Sequence, residues 1–127
     1  MRFFLFIRIV LLSATALLAA VEAGAQGGIG YASVAEARKV VTALPGAKAS
    51  EQQSWLIVEQ MPVMWSFAPA GHEAHPAAVK RTVVQRDGRI DVDMSVLCEA
   101  PKPACDQLVE SFKGLNEQMK RRLGGAR

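Results

Sequence analysis

The sequence predicts a single small α+β domain: a helix, an antiparallel sheet of three or four strands, and a C-terminal helix packed on one sheet face, with one disulfide. Three observations support this prediction. Apolar residues have helical spacing near both ends, strand-like segments lie between them, and Asp87-Gly88 marks a hairpin turn. The domain spans residues 33–123, between a glycine-rich, flexible mature N-terminus at 26–32 and a flexible C-terminus at 124–127.

Residues 1–25 have the pattern of a secretory signal peptide. Arg2 and Arg8 supply a basic start, and an apolar run follows at 9–21. The A-x-A site at 23–25 predicts cleavage before Gln26. A retained membrane anchor is the alternative, but the run is shorter than the roughly 18–20 residues that a spanning helix needs.

Export determines the compartment and excludes one class of partner. A cleaved leader predicts a periplasmic or secreted bacterial protein with no stable membrane span. The chain has 15 Lys+Arg and 12 Asp+Glu, so loss of Arg2, Arg8 and Glu22 leaves 13 against 11. A net charge of +2 is too weak for a nucleic-acid binder, and no nucleic acid is predicted as partner.

The first element of the domain is a helix over residues 33–46. Ser33 and Glu36 have capping-box spacing, which satisfies free N–H groups at a helix start. Apolar residues then follow at helical intervals, and Pro45-Gly46 ends the helix.

Two strand-like segments follow a polar link at 47–53. Residues 54–60 are apolar and rich in bulky, branched side chains. Pro62 interrupts the pattern, so residues 63–68 form either a second strand or a continuation of the first past a bulge. Residues 69–76 are predicted to be a loop.

A hairpin over residues 78–98 is the clearest local signal. Asp87-Gly88 suits a two-residue type I′ turn, because both positions need positive φ. Alternating apolar and polar residues predict one buried and one wet face. Counting outward from the turn pairs Arg86 with Arg89, Gln85 with Ile90, Val83 with Val92, Thr82 with Asp93, Lys80 with Ser95 and Val79 with Val96.

The last element is a helix over residues 103–123. Pro103 suits its first turn, and Asp106 favours the positive end of the helix dipole. Gly124 follows its end. Its apolar stripe consists of Leu108, Phe112, Leu115, Met119 and Leu123.

Cys98 and Cys105 are predicted to form a disulfide. They are the two cysteines of the chain, and an even count in an exported protein indicates a bridge. Their spacing is wider than that of a C-x-x-C redox pair. The bridge would connect the end of the last strand to the start of the last helix.

The stretch 65-WSFAPAGHEAHPAAVKR-81 is the candidate functional region. It contains both histidines and two of the six prolines of the chain. Pro69 and Pro76 bracket a loop, and a stiffened loop loses less freedom when it binds a partner. The predicted binding surface consists of Trp65, Phe67, His72, Glu73 and His75.

A soft-metal site is the alternative interpretation of this region. Thioether and imidazole groups bind Cu(I) and Ag(I), and Met61, Met64, His72 and His75 lie close in sequence. However, the spacing matches no known motif, because H-E-x-x-H needs its histidines one helical turn apart. The leading interpretation therefore includes no cofactor. It also assigns no catalytic residue, since no serine lies in a G-x-S-x-G motif.

The run WSF…GH…HP…VKR, with the D-G hairpin and the motif V-L-C-E-A-x-x-x-x-C-D-x-L, resembles a group of uncharacterised small exported bacterial proteins. The resemblance covers roughly the second half of the chain and implies export but no activity. The leading hypothesis is a non-enzymatic envelope protein. It would act as a binding, inhibitor or stabilising module for a protein or another envelope component.

We expect the exported protein to begin at Gln26, because the A-x-A site precedes this residue. Intact-mass measurement of protein recovered from the cell envelope fraction checks the cleavage point. A mass that retains residues 1–25 would contradict removal of the leader and favour the anchor.

Overall fold

The computed structural model describes residues 28–124. Five strands form one antiparallel sheet in the order β1-β2-β3-β4-β5, and each strand pairs with its neighbour in sequence. The α+β fold class is confirmed, with five strands where three or four were expected. The elements are α1 (Val34–Thr42), β1 (Lys48–Gln52), β2 (Trp55–Gln60), β3 (Val63–Phe67), β4 (Ala77–Arg86), β5 (Arg89–Cys98) and α2 (Lys102–Leu123).

Strand β1 is the element that the sequence did not predict. Residues 47–53 were expected to form a polar link, but Lys48–Gln52 pairs with β2 along its whole length. All five side chains of β1 are exposed, so the strand has no apolar alternation that a sequence could reveal. The turn into β2 is formed by Gln53 and Ser54, with φ of 51° and 68°. Neither residue is a glycine, so the turn signal was weak as well.

The predicted hairpin is confirmed residue by residue. Every predicted pair occurs, from Arg86 opposite Arg89 to Val79 opposite Val96. Asp87 and Gly88 have φ of 51° and 74°, as a type I′ turn requires. Residues 63–68 contribute a separate strand, because Gln60 pairs with Val63 across the turn at Met61-Pro62.

The two helices cover opposite faces of the sheet. Side chains of a strand alternate between faces, and Trp65 and Phe67 of β3 point towards α1. On the other face, Val79 of β4 packs with Leu108 and Phe112 of α2. The predicted packing of the C-terminal helix on one sheet face is therefore confirmed, and α1 packs on the other face.

Residues before α1 belong to the core. Of the predicted flexible N-terminus at 26–32, the structure describes residues 28–32, and Ile29 is buried in the α1-side cluster. The Tyr31 ring lies 5.8 Å from the Trp65 ring. The apolar side chains within this glycine-rich stretch explain why these residues pack against the core. The predicted leader at 1–25 and residues 125–127 lie outside the described residues.

The predicted disulfide is confirmed. Cys98 and Cys105 are bonded, with their Cα atoms 5.8 Å apart. The bond connects the last residue of β5 to the first turns of α2. Asp106 forms an ion pair with Lys102 on the preceding helical turn, at 2.6 Å. Among residues 28–124, neither helix has the length and apolar character needed to cross a membrane.

We expect the double variant Cys98→Ser/Cys105→Ser to be less stable than wild type by about 2–3 kcal/mol, because the bridge restricts the unfolded chain. Urea unfolding followed by circular dichroism measures the difference. As a control, wild type unfolded in the presence of reductant should match the double variant. Equal stability of oxidised wild type and double variant would contradict a stabilising role of the bond.

Candidate functional site

An open groove lies between helix α2 and the part of the sheet that α2 does not cover. The helix packs over β4 and β5, and the groove extends from it along the same face of β1, β2 and β3. The groove has a volume of about 850 Å³. Its sheet side is lined by Gln52, Trp55, Ile57, Glu59, Met64, Ser66 and Arg81, and its helix side by Ala104, Gln107, Leu108, Ser111, Phe112, Leu115, Gln118, Met119 and Arg122.

A row of three side chains crosses the floor of the groove. Strand pairing places Glu59 of β2 opposite Met64 of β3, and Met64 opposite Arg81 of β4. Residues opposite each other on one face of a sheet have neighbouring side chains. The row therefore carries a carboxylate at one end and a guanidinium at the other, with a thioether between them.

Arg81 is a buried cation without a carboxylate partner. Only 7% of the residue is exposed, and its guanidinium carbon lies 5.1 Å from the centre of the Phe112 ring. Its Nη2 donates a hydrogen bond to Met64 Sδ at 3.2 Å. Within residues 28–124, Arg81 Nε has no hydrogen-bond partner, and no ion pair includes Arg81.

Burial lowers the pKa of the Arg81 guanidinium below its ordinary value. The direction follows from desolvation, which disfavours the charged form of a base. An arginine nevertheless stays protonated in proteins. The charge and its desolvation cost therefore persist across the pH range in which the protein is folded, and the cost opposes folding.

Ser66 is the second polar group on the floor. It is 1% exposed, and its Oγ has no hydrogen-bond partner among the described residues. On the same sheet face it is the diagonal neighbour of Arg81, since Ser66 pairs with Val79 and Met64 pairs with Arg81. No histidine or carboxylate accepts its proton within residues 28–124, so nothing there activates the hydroxyl as a nucleophile.

The predicted loop forms one end of the groove. His72 and Glu73 line it, and the His72 ring lies edge-on to Trp55 with 5.1 Å between ring centres. His72 Nδ1 accepts a hydrogen bond from the Ala74 backbone N–H at 3.0 Å, which fixes the ring. Trp55 also lies against Phe112 at 5.6 Å. This end of the groove therefore consists of aromatic rings, and a backbone hydrogen bond holds the His72 ring in place.

The predicted binding surface requires a correction. Trp65 and Phe67 are 4% and 2% exposed, and both belong to the core beneath α1. Strand alternation explains the difference, because Trp65 and Phe67 face α1 whereas Met64 and Ser66 face the groove. His72, Glu73 and His75 are exposed. His72 and Glu73 line the groove, and His75 does not.

The four predicted metal ligands lie in different surroundings. Met64 and His72 line the groove, whereas Met61 is an exposed turn residue. Within residues 28–124, no group of three or more His, Cys, Asp or Glu could hold a metal ion. The guanidinium beside Met64 Sδ would also repel a metal cation.

A second depression lies at the tip of the β4–β5 hairpin, where Arg86 is already paired with two carboxylates. Arg86 binds Asp91 at 3.1 Å and Asp93 at 2.7 Å. A hydrogen bond from the Val92 backbone lowers the pKa of Asp91, and one from Arg86 lowers the pKa of Asp93. Because these groups satisfy one another at the surface, the tip is a solvated ion-pair cluster rather than a site.

Sequence reasoning missed Arg81 and Trp55. A signal for Arg81 was present, since counting from Asp87-Gly88 places it opposite Met94, on the apolar face of the hairpin. A charged side chain on an otherwise apolar strand face is unusual, and it indicates a candidate binding residue. For Trp55 no signal existed, because a tryptophan in an apolar strand is ordinarily a core residue.

Comparisons with protein-family models, with curated proteins and with solved structures found no match to the chain. The groove and its residues therefore carry the functional argument.

We expect Arg81→Met to unfold with a free energy at least equal to that of wild type, and up to about 1–3 kcal/mol higher. Methionine keeps much of the volume and the contact with Phe112, and it removes the desolvated charge. Thermal and urea unfolding measure the change.

Lys80→Met is the matched control. Lys80 is on the same strand but lies over the Trp65 ring on the other sheet face, at 5.5 Å. Because that lysine is only half-buried, its loss should bring no gain in stability. If Arg81→Met lowers stability by more than about 1 kcal/mol, Arg81 stabilises the fold and its unpaired state has no functional meaning.

Proposed function

We propose that the protein is a non-enzymatic binding module of the bacterial envelope, and that the groove between α2 and β1–β3 binds an extended segment of a partner protein. The observation that carries the proposal is an incompletely covered apolar stripe on α2. Leu108 and Phe112 are buried against the sheet, but Leu115 remains 45% exposed at the groove. Aromatic and aliphatic residues that line an open groove are typical anchors for a partner chain.

The dimensions of the groove fit a short extended peptide. The helix side runs from Ala104 to Arg122, which corresponds to about 27 Å at the rise of an α-helix. An extended chain covers that length with about eight residues. Trp55, Phe112 and Leu115 would then contact alternate side chains of the segment.

Amide side chains favour a polypeptide over a lipid tail. Gln52, Gln53, Gln107 and Gln118 line the groove together with Ser111. Each amide donates and accepts hydrogen bonds, and so matches the N–H and C=O groups of a peptide backbone. A hydrocarbon tail would leave all of these groups without a matching partner.

Charge around the groove is balanced. Arg81 and Arg122 line it together with Glu59 and Glu73. A polyanion such as nucleic acid or the phosphates of a membrane surface would require an excess of basic groups. This balance supports a protein segment of mixed composition as the ligand.

Two features support a non-catalytic role in an exported protein. The buried Ser66 hydroxyl has no base beside it in the described part of the chain, and His72 Nδ1 is held by the Ala74 backbone N–H. The Cys98–Cys105 bond is compatible with an oxidising compartment, as expected after removal of a leader.

Site-specific photo-crosslinking tests the proposal in cells that express the protein naturally. A photoreactive phenylalanine replaces Leu115 at the groove or, as a control, Val40, an exposed apolar residue of α1. We expect position 115 to crosslink to a short segment of one partner protein, mapped by mass spectrometry, and position 40 to give no such adduct. The absence of an adduct at 115, or the same adducts at both positions, would contradict groove binding.

A further inference from the structure

We propose that Arg81 and Ser66 form a carboxylate-recognition subsite on the floor of the groove, and that the bound segment of the partner carries an acidic side chain that enters it. The proposal rests on the proposed function, because it identifies the chemistry of the segment that the groove binds. It specifies one Asp or Glu of the partner, with apolar residues beside it.

The energetic reason is the unpaired charge of Arg81. Buried arginines are ordinarily paired with carboxylates, because desolvation of an isolated charge is unfavourable. Arg81 is 7% exposed and has no ion pair within residues 28–124. A carboxylate delivered by a ligand would complete the pair in a site already shielded from water, where the interaction is strong.

Arg81 is held by an aromatic ring and by one weak hydrogen-bond acceptor. The Phe112 ring lies 5.1 Å from the guanidinium carbon and supports the cation. The Nη2 donor is occupied by Met64 Sδ, a weak acceptor that a carboxylate oxygen can replace. Met64 is unbranched and flexible, so it can move aside without disturbing the strand.

Ser66 supplies the second donor. Its buried Oγ has no partner in the described part of the chain, and it is the diagonal neighbour of Arg81 on the same sheet face. Diagonal neighbours in a sheet are about 7–8 Å apart. In the proposed complex, one carboxylate accepts from the guanidinium with one oxygen and from the hydroxyl with the other.

The rest of the floor defines what flanks the acidic residue. Ile57 pairs with Ser66 across β2 and β3 and presents an apolar surface beside the subsite. Glu59 lies on the other side of Met64, where it would repel a second carboxylate. The structure therefore favours a segment with one acidic residue between apolar ones, rather than an acidic run.

Selection from a displayed library of random linear peptides tests the subsite. The full chain is expressed, and the protein is purified with its disulfide formed. Peptides are fused to the carrier through their C-termini, so that no free terminal carboxylate is present. Wild type, Arg81→Met and Lys80→Met are compared, and circular dichroism and thermal unfolding verify that each variant is folded. Loss of binding in Leu115→Glu identifies peptides that occupy the groove.

We expect wild type and Lys80→Met to enrich groove-binding peptides with a single Asp or Glu between apolar residues, and Arg81→Met to lose that preference. Replacing the acid of a selected peptide by its amide should weaken binding to wild type about 10- to 100-fold. The same replacement should leave binding to Arg81→Met unchanged. The comparison of acid and amide peptides on wild type does not depend on the folding of Arg81→Met.

The failures of the two proposals are distinguishable. Groove-binding peptides without an acidic preference would overturn the subsite and leave the groove function intact. An acidic preference that appears only in a library with free C-termini would assign the subsite to a chain terminus, and would overturn the side-chain proposal. If no enriched peptide loses binding in Leu115→Glu, the groove function fails, and the subsite fails with it.

Discussion

The placement of helix α2 over only part of one sheet face is the constraint on which the rest of the structure depends. The Cys98–Cys105 bond holds the start of α2 at the end of β5, and Leu108 and Phe112 pack over β4 and β5. Because a single helix covers about two strands of a five-stranded sheet, a groove remains beside α2 over the same face of β1–β3. The groove is a direct consequence of this geometry.

Stability and binding place different requirements on Arg81. In the protein alone, a buried guanidinium without a carboxylate opposes folding, and the helix–sheet core and the disulfide must offset it. In a complex, the same group would contribute affinity that an apolar residue could not supply. A residue that disagrees with its local environment is the expected mark of a functional position.

The sequence predicted the parts of the fold that local chemistry determines. Asp87-Gly88 and the alternation around it were sufficient for the full register of the hairpin, because a two-residue turn permits one register. Capping by Ser33 also appears as predicted, with Ser33 Oγ accepting from the Glu36 N–H. Strand β1 could not be predicted, since its formation depends on the backbone edge of β2 and not on its own side chains.

The site was less predictable than the fold, because it depends on which face of each strand the helices cover. The sequence identifies 65–81 as unusual, but it does not indicate that Trp65 points towards α1 and Met64 towards the groove. The burial of Arg81 depends on the packing of α2 over its face, because Phe112 covers the guanidinium. The apolar stripe of a helix likewise does not indicate which of its residues become buried. Leu115 follows Phe112 in the stripe of α2, yet it lies at the groove and remains exposed.

The two sheet faces have separate roles, and strand register keeps them apart. On one face α1 packs over Trp65 and Phe67, and the other is shared between α2 and the groove. A shift of β3 by one residue would exchange the faces, placing Trp65 in the groove and Ser66 under α1. The two-residue turn at Met61-Pro62, which joins β2 to β3, helps to prevent such a shift. The tight turn that holds β3 in register therefore preserves the core and, at the same time, keeps Ser66 on the groove face beside Arg81.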